Sequence, residues 1–147
     1  MKVREAMTTD VKVISPKQTI CDAAKMMAEC DAGSLPVGED DRLVGMITDR
    51  DIAIRAVAKD LSPETPVREV MSEEMLYCFD DEDVAHVIEN MGEQKVRRLP
   101  VLNRDKRLIG IVSLGDLARA AKASKTGQAM AEIAKPGGPH DQTAPLH

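Results

Sequence analysis

Two stretches of the chain place a hydroxyl three residues ahead of an aspartate: Thr48 and Asp51 in GMITDRDIA (45–53), and Ser113 and Asp116 in GIVSLGDLA (110–118). In both, an apolar run ends at the hydroxyl and a helical pattern begins after it. Free backbone N–H groups at a helix start attract phosphate. The hydroxyl adds a donor, and a carboxylate one turn later can accept from the two hydroxyls of a ribose, as acids do in other nucleotide sites. The spacing therefore reads as phosphate and ribose recognition. It also serves a local purpose, with Thr48 and Ser113 as N-caps and the acids facing the helix dipole. Capping and ligand binding can coexist, and a junction written twice weakens capping as the sole explanation.

Basic residues point the same way. KVRRLPV puts Lys95, Arg97 and Arg98 immediately before an apolar strand pattern, where they can grip phosphate. The matching stretch DAGSLPV carries Asp31, Gly33 and Ser34 instead, so two sites would differ. Arg50 in the first junction can compensate; Gly115 stands there in the second. Solvation of a charged surface is the alternative use of these arginines.

Other chemistry is sparse. No GxxxxGK phosphate loop, no Ser, His and Asp cluster and no metal triad is visible, so no catalytic and no metal-ligating residue is expected. His86 falls in the middle of a helical pattern, and His140 and His147 lie in the tail. Cys21, Cys30 and Cys78 match no zinc spacing or disulfide framework and read as ordinary thiols. The chain has 147 residues, 43% hydrophobic and 31% charged, enough for a sizeable core on a soluble body. One Phe, one Tyr and no Trp leave little for base stacking, and a formal net charge of -5 opposes nonspecific nucleic-acid binding. No apolar run approaches a membrane span and no signal peptide is legible, so a cytoplasmic protein is expected.

The elements that position the junctions are also written twice. VREAM (3–7) aligns with VREVM (67–71) at an offset of 64, which also superimposes Met27 on Met91, Glu29 on Glu93 and LPV (35–37) on LPV (99–101). One inserted residue then moves the offset to 65, matching Arg42, Leu43, Gly45, Asp51, Ala53, Ala56 and Ala58 with Arg107, Leu108, Gly110, Asp116, Ala118, Ala121 and Ala123. The organisation read from this is a first repeat at 1–58, a turn-rich linker at 59–66, a second repeat at 67–123 and a partly disordered C-terminal extension at 124–147.

Each repeat reads as strand, helix, strand, strand, helix. In the first, Val11–Ile14 is a strand broken by Ser15 and Pro16. Thr19 caps a helix with Ile20, Ala23, Ala24, Met27 and Cys30 at helical spacing. SLPVG and LVGMIT are strands, and DRDIAIRAVAK is a helix. In the second, MLYCF is a strand, DEDVAHVIENMGE a helix with Val84, Val87, Ile88 and Met91 inward, RRLPVL and RLIGIVS strands, and LGDLARAAKA the closing helix. A further helical turn is expected around Met130–Ile133. A unit under 60 residues is marginal alone, so the expected α/β fold, of α+β type, is a pseudo-twofold pair with two equivalent clefts.

The repeated unit resembles the CBS domain, and the pair resembles a Bateman module over residues 1–123, as in small stand-alone bacterial and archaeal members. The opening VREAM and VREVM, the SLPV and RRLPV strands and the two junctions carry the resemblance together. It implies a regulatory module that binds an adenine nucleotide (AMP, ADP, ATP, NAD or S-adenosylmethionine) with no required cofactor and no catalysis. Thr48 and Asp51 would serve phosphate and ribose in one cleft, and Ser113 and Asp116 in the other. Adenine would be enclosed near Val13–Pro16, which includes Ser15 and Pro16, and near Gly33–Pro36 in one, and near Cys78–Asp80 and Arg97–Pro100 in the other. Asp80 departs from Pro16 at the matching position and can bond a base amino group or spoil the pocket. The resemblance also implies a homodimer through helices and an unidentified effector protein. The competing expectations are a structural dimer with empty clefts and, least favoured, a nucleotide hydrolase.

Overall fold

The structure is a computed structural model that describes residues 1–121 and Ile133. Of the turn expected around Met130–Ile133 only Ile133 is among the described residues; the tail after Lys135, and Ala123, His140 and His147 lie outside them. The elements are α1 (Ile20–Cys30), β1 (Ser34–Glu39), β2 (Arg42–Thr48), α2 (Asp49–Asp51), β3 (Cys78–Phe79), α3 (Val84–Gln94), β4 (Arg98–Leu102), β5 (Leu108–Ser113) and α4 (Leu114–Ala120). They form an antiparallel β1–β2 pair and a sheet in the order β3–β4–β5. This is the mixed α/β fold of two like repeats.

The chain divides into two compact units. One holds Val11–Leu76 with Lys106–Leu108; the other holds Met1–Asp10, Tyr77–Asp105 and the chain from Ile109. The units therefore do not coincide with the sequence repeats, because each repeat's opening segment packs on the other repeat. Val3 and Arg4 donate backbone N–H bonds to Glu82 and Asp80, both at 3.0 Å, and Thr8 exchanges two 2.9 Å bonds with Ile111. At the matching positions, Val67 and Arg68 donate to Gln18 (2.7 Å) and Pro16 (3.0 Å), and Ser72 exchanges bonds of 2.8 and 2.9 Å with Met46. Val3 and Val67, the apolar heads of these segments, are completely buried.

In the first unit, Ile14, Ile20, Ala23, Met27, Leu35, Val37, Ile47, Ala56, Val67 and Val70 form one apolar core. Helix α1 opens on a reciprocal capping box between Thr19 and Asp22, at 3.1 and 3.2 Å. Its next free N–H groups, at Ile20 and Cys21, are taken by the carbonyls of Thr65 (2.9 Å) and Pro63 (3.1 Å) in the linker. Ala24, expected inward, is exposed at the margin of the stripe. In the second unit Val84, Val87, Ile88 and Met91 are buried as expected, together with Leu99, Val101, Val112 and Leu117.

Both expected opening strands shrink, for one reason. Val11–Ile14 contributes only Ile14, bridged in parallel to Val37, and MLYCF contributes only Cys78 and Phe79, paired with Val101 and Leu102. Ile14 donates to the Pro36 carbonyl and accepts from Gly38 N–H. Continuing such a ladder would need an N–H from residue 36, which is proline, and Pro100 removes the matching donor in the second repeat. The run expected as one α-helix after Thr48 also changes pitch: one turn of α-helix is followed by a wider π turn at Ile52–Ala56 and a 3₁₀ turn at Val57–Lys59. The β-branched Ile52, Ile54 and Val57 weaken its α preference.

Candidate functional site

In the second unit, β5 runs directly into α4 at Ser113. Ser113 Oγ accepts the Asp116 N–H and Asp116 Oδ2 accepts the Ser113 N–H, both at 3.0 Å. The local capping reading is therefore correct, but it consumes only part of the chemistry. The Ser113 O–H remains a donor, and Asp116 Oδ1 faces outward, where Arg119 Nη2 donates to it at 2.6 Å. The carbonyl of Arg97 accepts the Leu114 N–H at 2.8 Å, tying the head of β4 to the junction.

A cleft of about 270 Å³ opens there, lined by Thr8, Arg98, Ile111, Ser113 and Asp116. It combines two hydroxyls, one exposed guanidinium and one carboxylate. Hydroxyl and guanidinium groups donate to phosphate, and a carboxylate accepts from a diol. Arg98, Ser113 and Asp116 thus line one cleft. Thr8 is the residue that sequence reasoning missed. It comes from the opening of the other repeat, and only its fixed distance from Val3, at a position matching Ser72, could have signalled it.

The first unit repeats the frame. Thr48 Oγ1 accepts the Asp51 N–H and Asp51 Oδ2 the Thr48 N–H, both at 3.0 Å. Ser34 lies opposite Thr48 in the β1–β2 register. The Gly33 carbonyl accepts the Asp49 N–H at 2.9 Å, as Arg97 does from Leu114. Arg55 Nε stands 3.8 Å from Asp51 Oδ1, and its Nη1 donates to the Val70 and Met71 carbonyls at 3.4 and 3.3 Å. Arg50 is exposed beside the junction.

Within their own units, Ser15, Pro16 and Asp80 are not brought to these junctions. Ile14 lies opposite Val37, so it is about 10 Å along β1 from Ser34 at ~3.3 Å per residue, and the parallel chain carries Ser15 and Pro16 further away. Ser15 accepts from Lys17 N–H through Oγ and donates its own N–H to Gln18. Asp80 donates its N–H to Leu102, at the opposite end of β4 from Arg98, and its carboxylate pairs with Arg4 at 3.3 Å. Arg97 is exposed at the head of β4.

Among the described residues, Cys78 and His86 do not line this cleft. Cys78 is buried, and loss of hydration, reinforced by Glu82 and Asp80, pushes its thiol up to about 12, so it is not a nucleophile near neutrality. His86 is exposed on α3 between Glu82 (3.7 Å) and Asn90 (3.2 Å). Arg104 lies 4.1 Å over the Phe79 ring and grips Asp81 at 2.7 and 2.8 Å, holding that carboxyl below its usual range. Among the described residues no group of three or more His, Cys, Asp or Glu is placed to hold a metal, and no helix is long and apolar enough to cross a membrane.

Known proteins share this frame. The family model described as CBS domain matches residues 3–57 and again 67–123. The CBS domain-containing protein YhcV of Bacillus subtilis is 43% identical over 116 residues, covering 79% of this chain and 82% of that protein. Hypoxic response protein I, solved with two coordinated zinc ions, has a TM-score of 0.73 at 36% identity, covering 82% of this chain and 99% of that one. CBSX2 in complex with AMP has a TM-score of 0.71 at 29% identity, covering 84% and 98%. The CBS domain pair of MJ0100, in complex with 5′-methylthioadenosine and S-adenosyl-L-methionine, has a TM-score of 0.69 at 27% identity, covering 82% and 94%.

Proposed function

Because the chain belongs to the CBS-domain family, we propose that it is a regulatory module that binds an adenine nucleotide at its strand–helix junctions and performs no chemistry on it. The observation that carries this reading is the cleft lined by Thr8, Arg98, Ser113 and Asp116. Its donors suit a phosphate and its carboxylate suits a ribose. AMP in CBSX2 and the adenosyl ligands of MJ0100 support adenosine as the shared element. Thr48, Asp51 and Ser34 form the second binding position, with Arg50 at its rim. A homodimer accompanies the reading. Ile54 and Val57, 51% and 66% exposed on the helical run after Asp51, offer it an apolar contact. The chain acts in the cytoplasm on an unidentified effector protein that responds to the liganded state, and the ligand acts only by preferring one state over another.

Isothermal titration of AMP, ADP, ATP, NAD and S-adenosylmethionine into nucleotide-free protein tests the proposal. Saturable binding by at least one of them is expected, and its loss in a folded Asp51→Ala, Asp116→Ala double variant. Absence of binding by all five to folded wild type would overturn it in favour of a dimer that contacts only proteins.

A further inference from the structure

The two junctions have one backbone frame and opposite charge. Helix α1 ends on Asp31 and α3 on Lys95, both left-handed, with φ of 52° and 57°. Two residues later the Gly33 carbonyl accepts from Asp49 N–H, and the Arg97 carbonyl from Leu114 N–H. Ser34 then stands where the second repeat has Arg98, and each neighbours its capping hydroxyl, through strand register in one case and a shared cleft in the other. On this common frame the first junction carries Asp31, Asp49 and Asp51 against Arg50 and Arg55. The second carries Lys95, Arg97, Arg98 and Arg119 against Asp116.

Asp49 is the sharpest difference. Its Oδ2 lies 3.0 Å from the point that a Cβ on Gly33 would occupy. The absence of a side chain at Gly33 therefore lets a carboxylate lie over the head of β1, next to Ser34. In the second repeat Leu114 and Arg97 replace this pair, and Arg98 adds a guanidinium to the cleft wall.

We infer that the two junctions divide adenosine ligands by charge. The Ser113 junction takes phosphorylated nucleotides, and the Thr48 junction takes nucleosides that carry no phosphate, with Asp49 as the residue that turns phosphate away. This rests on the nucleotide reading above. Two unit charges about 5 Å apart in water interact by just under 1 kcal/mol, a factor of about four, so a doubly charged phosphate facing one carboxylate loses on the order of tenfold. Attraction by Arg98 contributes a similar factor of opposite sign. Together they separate the two junctions by about a hundredfold for AMP and hardly at all for adenosine.

Calorimetric titration of the full chain with AMP and with adenosine tests this, since the two differ only by the phosphate. Wild type is expected to take one equivalent of AMP and two of adenosine. Asp49→Leu, and Asp49→Asn at unchanged size, should raise AMP to two equivalents. Arg98→Ala should weaken AMP about tenfold more than it weakens adenosine. Asp49 and Arg98 are exposed, so these variants should keep the wild-type circular dichroism; Asp49 Oδ1 accepts the Arg50 N–H at 2.8 Å, so its variants should melt a few degrees lower, and both readouts are checked alongside. Two equivalents of AMP on wild type, a stoichiometry unchanged by both Asp49 variants, only one equivalent of adenosine, or equal loss of both ligands in Arg98→Ala would each overturn the division while leaving a nucleotide-binding module. Failure of both AMP and adenosine to bind would overturn the nucleotide reading and the division with it.

Discussion

Replacing Gly45 by alanine probes the crosswise docking of the opening segments. Gly45 lies in β2, one residue before Met46, which pairs with Ser72. A Cβ there would meet the Ser72 carbonyl oxygen at 2.7 Å and Met71 Sδ at 3.0 Å. The first contact is to backbone, so no rotamer relieves it. The segment must move off the strand edge and stretch the 2.8 and 2.9 Å bonds between Ser72 and Met46. Overpacking of this kind costs about 1–3 kcal/mol, each weakened hydrogen bond adds about 1 kcal/mol, and the lower chain entropy of alanine returns ~0.5 kcal/mol. The net is about 2.5–4.5 kcal/mol, a fall in melting temperature of roughly 10–15 °C for a domain of this size.

Gly110 supplies the internal control. The atom nearest to its Cβ position is Met7 Sδ at 2.7 Å, with the Thr8 carbonyl at 3.0 Å. A flexible thioether can yield, so Gly110→Ala should cost less, and Met7→Ala should recover a large part of that cost. Met71→Ala should recover little of the cost of Gly45→Ala. Urea denaturation of the four single variants and two double variants gives both coupling energies. A loss under ~0.5 kcal/mol for Gly45→Ala, or its rescue by Met71→Ala, would refute the docking geometry.

Ser113→Ala and Thr48→Ala each remove the accepting half of a capping box and should cost about 1 kcal/mol, read as a lower urea midpoint at unchanged slope; an unchanged midpoint would contradict the bonds described. Cys78 should resist alkylation at pH 8 in the native protein, while the half-buried Cys21 and Cys30 react; mass spectrometry of labelled peptides decides this. Because the folded Cys78 thiol titrates near 12 against 9.0 for a free one, the unfolded chain releases its proton first. Stability is therefore undiminished below pH 9 and falls as pH rises toward 12, by at most ~1.4 kcal/mol per pH unit. Cys78→Val should lose that component, and identical pH dependences for the two proteins would exclude it.

The repeat, the order of elements, the inward face of α3 and both junctions were legible because each rests on residues close in sequence. Helical spacing decides which side of α3 is apolar, and a hydroxyl followed three residues later by an aspartate closes its capping box within one turn. The proline at the second position of each LPV strand was also visible, but its effect on the preceding strand was not. That effect depends on which N–H the parallel ladder needs, and so on register between segments more than twenty residues apart.

What the sequence by itself determined is therefore local and doubled: two units of one pattern, each ending a strand on a capped helix, with charge distributed oppositely around the two. Only the tertiary structure decided that the opening of each repeat docks on the other, which brings Thr8 to Arg98, Ser113 and Asp116. It also decided that Ser15, Pro16 and Asp80 run toward the opposite ends of their strands. Hydrogen bonds between segments from just over twenty to about a hundred residues apart set both outcomes. The side chains of those segments carry little trace of such partners, because the bonds are made by backbone groups that nearly every residue possesses.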